Sequence, residues 1–217
     1  MGFLTDTGVS LVSSVLFVLL AWIFSKTARR FVRGLAAHLL HLDAEEVFAN
    51  GRDAGLDIRR ELARARQVFV FTSRGAELQR DTFEEVLTRS RARRCHCRIM
   101  LPKLSVPAHE ADWIADREAE LHVFDSAFGT DLLRRQIAAT YDYLAPLLVT
   151  GHLEVRGYNI PHFGRVVATE RVLYLTPYSP DRHGSSSPVI KYRRGETYDV
   201  LMRLLEKLWA ASGTPAP

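Results

Sequence analysis

The sequence predicts an α/β domain built on a mixed sheet, and three observations carry that expectation. Val68, Phe69, Val70 and Phe71 form a wholly apolar run, and residues 97–101 form a second, broken only by Arg98 and stopped by Pro102. Short runs without polar alternation suit strands buried on both faces. Between them, residues 76–93 carry Phe83, Val86 and Leu87 at helical spacing, so the two strands are expected to be adjacent, parallel and central. Four further runs, 153–158, 164–169, 171–176 and 188–193, then read as strands before a closing helix at 197–211.

Taken in order, the chain opens on a segment of another kind. No charged residue occurs between Asp6 and Lys26, a gap of 19 residues. As a helix that gap spans roughly 28 Å, close to the thickness of a bilayer core. Positive charge follows it, at Lys26, Arg29, Arg30 and Arg33, rather than preceding it as in a cleaved signal peptide. Residues 8–25 are therefore expected to cross the membrane once, with the N-terminus outside and the rest cytoplasmic. Phe31, Val32, Leu35, Leu39 and Leu42 continue at helical spacing, as a helix on lipid, against a second copy, or against the domain. The expected division is 1–42 for the anchor and juxtamembrane helix and 43–217 for the cytoplasmic domain.

Within the domain, Asp43 and Glu46 have capping-box spacing, which predicts a short helix ended by Gly51. Ile58, Leu62 and Ala65 mark the next helical face. After the second strand, 108–124 and 127–145 read as two more helices, the latter with Leu133, Ile137, Tyr141, Leu144 and Leu148 in register. The loop 177–187 is rich in turn formers and is the expected mobile segment.

Of 217 residues, 29 are basic, and only Lys26, Lys103, Lys191 and Lys207 are lysines; the formal net charge is +4. Arginine forks match phosphate and carboxylate groups. Arg89, Arg91, Arg93 and Arg94 suit the C-terminal end of a helix dipole, and no interleaved aromatics point to specific nucleic-acid binding. Cys95 and Cys97 flank His96 on a strand, so the thiols share a face without the further ligands a metal needs. Neither metal nor cofactor is expected. His109, Glu110 and Asp112 read as a solvated helix start.

Two segments can carry chemistry. Thr72, Ser73, Arg74 and Gly75 follow a buried strand and precede a helix, where open α/β sheets gather anionic ligands. From Arg156 to Tyr178, polar groups alternate with strand residues: Arg156, His162, Arg165, Thr176 and Tyr178. His162 is the candidate nucleophile or acid–base group, or else a loop-orienting hydrogen-bond donor. Arg156, His162, Arg165 and the 72–74 turn are expected to line one anion-binding pocket.

The element order, with RIMLP at 98–102, LEVRGYNIPHFGRVVATERVLYLTPYS at 153–179 and LLEKLW at 204–209, resembles a single phospholipase D-type domain. That resemblance implies a histidine nucleophile on phosphorus, with lysines on the phosphoryl oxygens, and a symmetric dimer supplying the second histidine. His162 falls at the family's histidine position. Its lysine position is Gly164, its aspartate position Thr169, and its later Ser and Asn correspond to residues 176–178, which do not match. Moving Arg165 or Glu170 into those places reverses the side-chain face. The resemblance thus implies the fold, with an old phosphate site that binds an anionic, phosphate- or nucleotide-like ligand in a homo-oligomer without cleaving it. A membrane-tethered phosphodiesterase or lipid hydrolase using His162, and a partner-binding membrane protein, stand beside that reading.

Overall fold

The computed structural model describes residues 44–79, 81–150 and 152–213. These form seven strands and five α-helices: β1 (Ala44–Phe48), α1 (Gly51–Arg64), β2 (Gln67–Phe71), α2 (Asp81–Arg91), β3 (His96–Pro102), α3 (Trp113–His122), α4 (Leu132–Leu144), β4 (Leu153–Tyr158), β5 (Gly164–Thr169), β6 (Val172–Pro177), β7 (Val189–Arg193) and α5 (Glu196–Ala211). The strands make one mixed sheet in the order β1-β7-β6-β5-β2-β3-β4. As the sequence predicts, β2 and β3 are adjacent, parallel and interior, paired from Gln67–His96 to Phe71–Met100. The anchor expected at residues 8–25 lies outside the described residues. Among the described ones, no helix is long and apolar enough to cross a membrane.

One local expectation is corrected. Residues 44–48 form a strand, not a helix, because they pair antiparallel with β7 and Glu45 reaches Lys191 and Arg193 across the ladder. Gly51 begins a helix rather than ending one. The Asn50 side chain accepts from the N–H groups of Arg52 and Asp53 and caps that start.

Period-two alternation sorts side chains onto two faces of the sheet. Val68, Val70, Ile99, Val155, Val167 and Tyr174 face α1 and α2 and join Ile58, Leu62, Phe83 and Val86 in the larger core. Phe69, Phe71, Met100, Val166, Ala168 and Leu173 face α5, which contributes Tyr198, Leu205 and Trp209. A third cluster packs α3 on α4 through Ile114, Leu121, Phe128, Leu133 and Ile137.

Charged side chains fasten these layers. The expected dipole role of Arg89 takes a more specific form: its guanidinium donates to the carbonyls of Leu62 and Ala63 at 2.8 Å each, and to that of Ala65. It thereby satisfies the open C-terminal end of the neighbouring helix. On the other face, Arg98 forms a two-point pair with Glu206 at 2.6 and 2.7 Å, and its guanidinium lies over the Phe69 ring.

Strand directions define two poles. β2, β3 and β4 run parallel, and four antiparallel steps from β2 to β1 bring β1 into the same direction. The start of β1 therefore lies at the pole where β2 and β3 begin. The end of β2 lies at the opposite pole, together with the start of β5 and the end of β6.

Candidate functional site

At that second pole the chain leaves β2 through Thr72, Ser73, Arg74 and Gly75. The Thr72 N–H still bonds to the Met100 carbonyl at 3.2 Å, so the turn is an extension of the sheet. Gly75 has φ +73°, and a Cβ there would lie 2.7 Å from Thr140 Cγ2. Glycine is thus required by both backbone and space. The turn opens into a small cleft, partly open to solvent, lined by Thr72, Ser73, Arg74, Glu77, Arg117, Arg165, Tyr178 and His183 with an apolar wall of Leu121, Phe128 and Leu133.

Three guanidiniums converge here from three elements. Arg165, at the start of β5, donates to Thr176 Oγ1 at 3.2 Å, and its Nη1 lies 3.9 Å from Glu77 Oε1. Glu77 also accepts from the Thr72 hydroxyl at 2.7 Å. Arg74 donates to the neutral Gln136 amide at 3.2 Å, and its own carbonyl is held by Thr140. Arg117 comes from α3, is 6% exposed, pairs with Glu120 at 2.5 Å, donates to the Ser179 carbonyl and lies 5.3 Å from the Tyr178 ring centre. Tyr178 in turn accepts from Ser73 at 3.2 Å. On the far side, His183 Nε2 is 3.1 Å from Asp125 Oδ2, with the Phe124 and Phe128 rings alongside.

The structure brings together Thr72, Ser73, Arg74, Arg165 and Tyr178 of the expected pocket. Thr176 is buried and reaches it through Arg165. Two expected members fall elsewhere. Arg156 shares a strand face with Tyr158, so it points toward α5. There it donates to the Trp209 carbonyl at 2.8 Å and lies 4.4 Å from the Trp209 ring centre.

His162 is not part of the cleft lining. Both its ring nitrogens are buried without a hydrogen-bond partner, and its ring meets Tyr158 edge-on at 5.8 Å. Burial, with the Arg117 charge adding to it against the opposing Asp112, lowers its pKa from 6.5 to about 4. Glu170, the shifted alternative for the family's aspartate position, lies away from the cleft as well. Glu170 follows the far end of β5 and accepts from the Arg66 and Gln67 N–H groups at the opposite pole.

The sequence reading missed Glu77, Arg117 and His183. His183 stood inside the loop 177–187 with no neighbour to mark it, and Arg117 sat in a helix whose docking onto Tyr178 is decided by tertiary packing. Cys95 and Cys97 are buried on one face as expected, and burial pushes both thiols up, which keeps them protonated. Among the described residues, no group of three or more His, Cys, Asp or Glu side chains can hold a metal ion.

No protein-family model and no curated protein matches the chain. Among solved structures, it is similar to TrmBL2, an archaeal chromatin protein described as showing a novel mode of DNA binding. That match has 13% identity and a TM-score of 0.47, over 98% of this chain and 68% of that one. It is also similar to phosphatidylserine synthase from Haemophilus influenzae, with 11% identity and a TM-score of 0.43, over 76% of this chain and 38% of that one. Both scores lie below 0.5, and neither likeness carries an activity over to this chain.

Proposed function

We propose that this chain is a membrane-tethered sensing domain whose cleft takes a small, phosphate-bearing anion without turning it over. The observation that supports it is the convergence of Arg74, Arg117 and Arg165 on one cleft, against the single carboxylate of Glu77 in its lining. Arg74 and Arg165 keep donors beyond those used by Gln136 and Thr176, and each charge-assisted bond to a phosphate contributes about 1.5–3 kcal/mol. In this reading residues 8–25 form the tether, the domain is cytoplasmic, and ligand binding alters how copies of the chain associate.

The phospholipase D resemblance fits a member that has kept a phosphate site and lost its chemistry. That chemistry needs an accessible histidine with a lysine beside it. Here His162 is packed on Tyr158, and no lysine lines the cleft.

Thermal shifts of the full-length chain with inorganic phosphate, nucleoside monophosphates and glycerol phosphate test the reading, because a ligand bound to the native state raises its melting temperature. A shift abolished by Arg165→Ala, with no hydrolysis of phosphodiesters, is the expected result. Hydrolysis that disappears in His162→Ala would establish the phosphodiesterase reading instead. No shift with any of these anions would leave the partner-binding reading in place.

A further inference from the structure

A second group of arginines gathers at the opposite pole. Arg89 locks the end of α1 to the end of α2 through the carbonyls of Leu62, Ala63 and Ala65. Around that lock Arg64, Arg66, Arg91, Arg93 and Arg94 are all exposed. Arg194, also exposed, extends the patch across the sheet, its N–H donating to the Arg171 carbonyl at 3.1 Å.

Carboxylates at this pole have other partners. Glu61 pairs with Arg171 at 3.0 Å, Glu45 with Arg193 at 2.6 Å and Glu154 with His96 at 2.7 Å, while Glu170 accepts the Arg66 and Gln67 N–H groups. Glu196, exposed at the start of α5, is one carboxylate against these six arginines. Among the described residues, none of the six guanidinium groups pairs with a carboxylate.

The chain also enters the domain here. β1 is parallel to β2 and begins at this pole, so Ala44 leads back from it toward Lys26, Arg29, Arg30, Arg33 and the charge-free stretch before them. We infer that the arginine pole rests on the anionic lipid of the bilayer and holds the domain with its cleft facing away from the surface. The inference builds on the tether proposed above. The partner is a lipid surface rather than a nucleic acid, because β1, the first described element, starts at this same pole, with 18 residues between it and the charge-free stretch. Juxtamembrane arginines near anionic lipid each strengthen contact about five-fold, so three of them account for about a hundred-fold.

The test uses the full-length chain in lipid nanodiscs carrying a headgroup quencher, with a fluorophore at Ala92→Cys or at Ser105→Cys. Both positions are exposed, at opposite poles, and the native Cys95 and Cys97 are buried, which makes labelling selective. Discs containing phosphatidylserine are expected to quench the Ala92 label and spare the Ser105 label, with the difference fading at high salt. Arg64→Gln, Arg91→Gln and Arg94→Gln together are expected to remove it, and Arg165→Ala to leave it intact. Incorporation into pure phosphatidylcholine discs without any preference between labels in either lipid would overturn the pole while keeping the tether. Binding to anionic discs alone would overturn the tether while keeping the pole. Protection of the Ala92 label by duplex DNA but not by phosphatidylserine would assign the patch to nucleic acid and overturn the inference.

Discussion

Arg165 and Arg156 are the same residue type nine positions apart, yet they occupy different worlds. Arg165 reaches the cleft beside Glu77 and Thr176, while Arg156 lies over Trp209 and bonds its carbonyl. Arg165→Ala is expected to weaken binding of a phosphate-bearing ligand by roughly ten- to a hundred-fold. Arg156→Ala is expected to leave that affinity unchanged and to lower stability by about 1–2 kcal/mol, from the lost bond and the lost cation–π contact. Titration calorimetry and urea denaturation of both variants separate the two roles. His162 gives a pH signature. Its imidazole titrates near 6.5 when unfolded and at about 4 in the fold, so between those values the unfolded chain binds more protons. Its contribution is full above pH 6.5 and is lost as pH falls toward 4, for a total of roughly 3 kcal/mol. Denaturation midpoints measured across that window should fall with acid in the native protein and fall less steeply in His162→Phe.

At the scale of elements, the connection after β2 and the junction of α1 with α2 are the places where backbone chemistry is most exacting. Gly75 turns with a positive φ directly against Thr140 and Leu101. Gly75→Ala is expected to cost about 1–3 kcal/mol and to weaken ligand binding as well, because the strain displaces Arg74 and Ser73. A melting curve and a binding isotherm on the same sample check both effects. Arg89 satisfies three carbonyls at the end of α1. Arg89→Leu leaves the Ala63 and Ala65 carbonyls without that donor and the Leu62 carbonyl with the Ala65 N–H, and a loss of about 2–4 kcal/mol is expected in urea denaturation, with ligand affinity unchanged at the far pole.

For the whole molecule, sheet order sets the pattern of stability. β2, β3 and β5 are interior strands with buried side chains on both faces, whereas β1 and β4 are the edges. Native-state hydrogen exchange should therefore find the slowest amides in Val68–Phe71 of β2 and their partners in β3, and earlier exchange at β1. Strand polarity also divides the molecule's charge. The cleft and its three arginines occupy one end of the parallel strands, and the exposed arginines around Arg89 occupy the other. A ligand event and a surface contact can thus be read separately in the same chain.

The strand pair at the centre, the helical faces of α1, α2, α4 and α5, and the glycine turn after β2 were all legible in the order of residues. Each is a local matter: period two or 3.6, a doubly apolar run, or a glycine where the backbone turns back. β1 was not legible, because Asp43 and Glu46 have helix-capping spacing while the pairing that makes a strand comes from β7, more than a hundred residues later. The candidate site divides along the same line. Thr72, Ser73, Arg74, Arg165 and Tyr178 stood out by type and position. That Arg117 joins them from α3, that His183 closes the far wall, and that Arg156 and His162 turn away are decided by tertiary structure alone. The physical reason is that a side chain's face on a sheet follows from register with its neighbours, and the charges it meets come from segments whose separation along the chain carries no trace of their proximity in space.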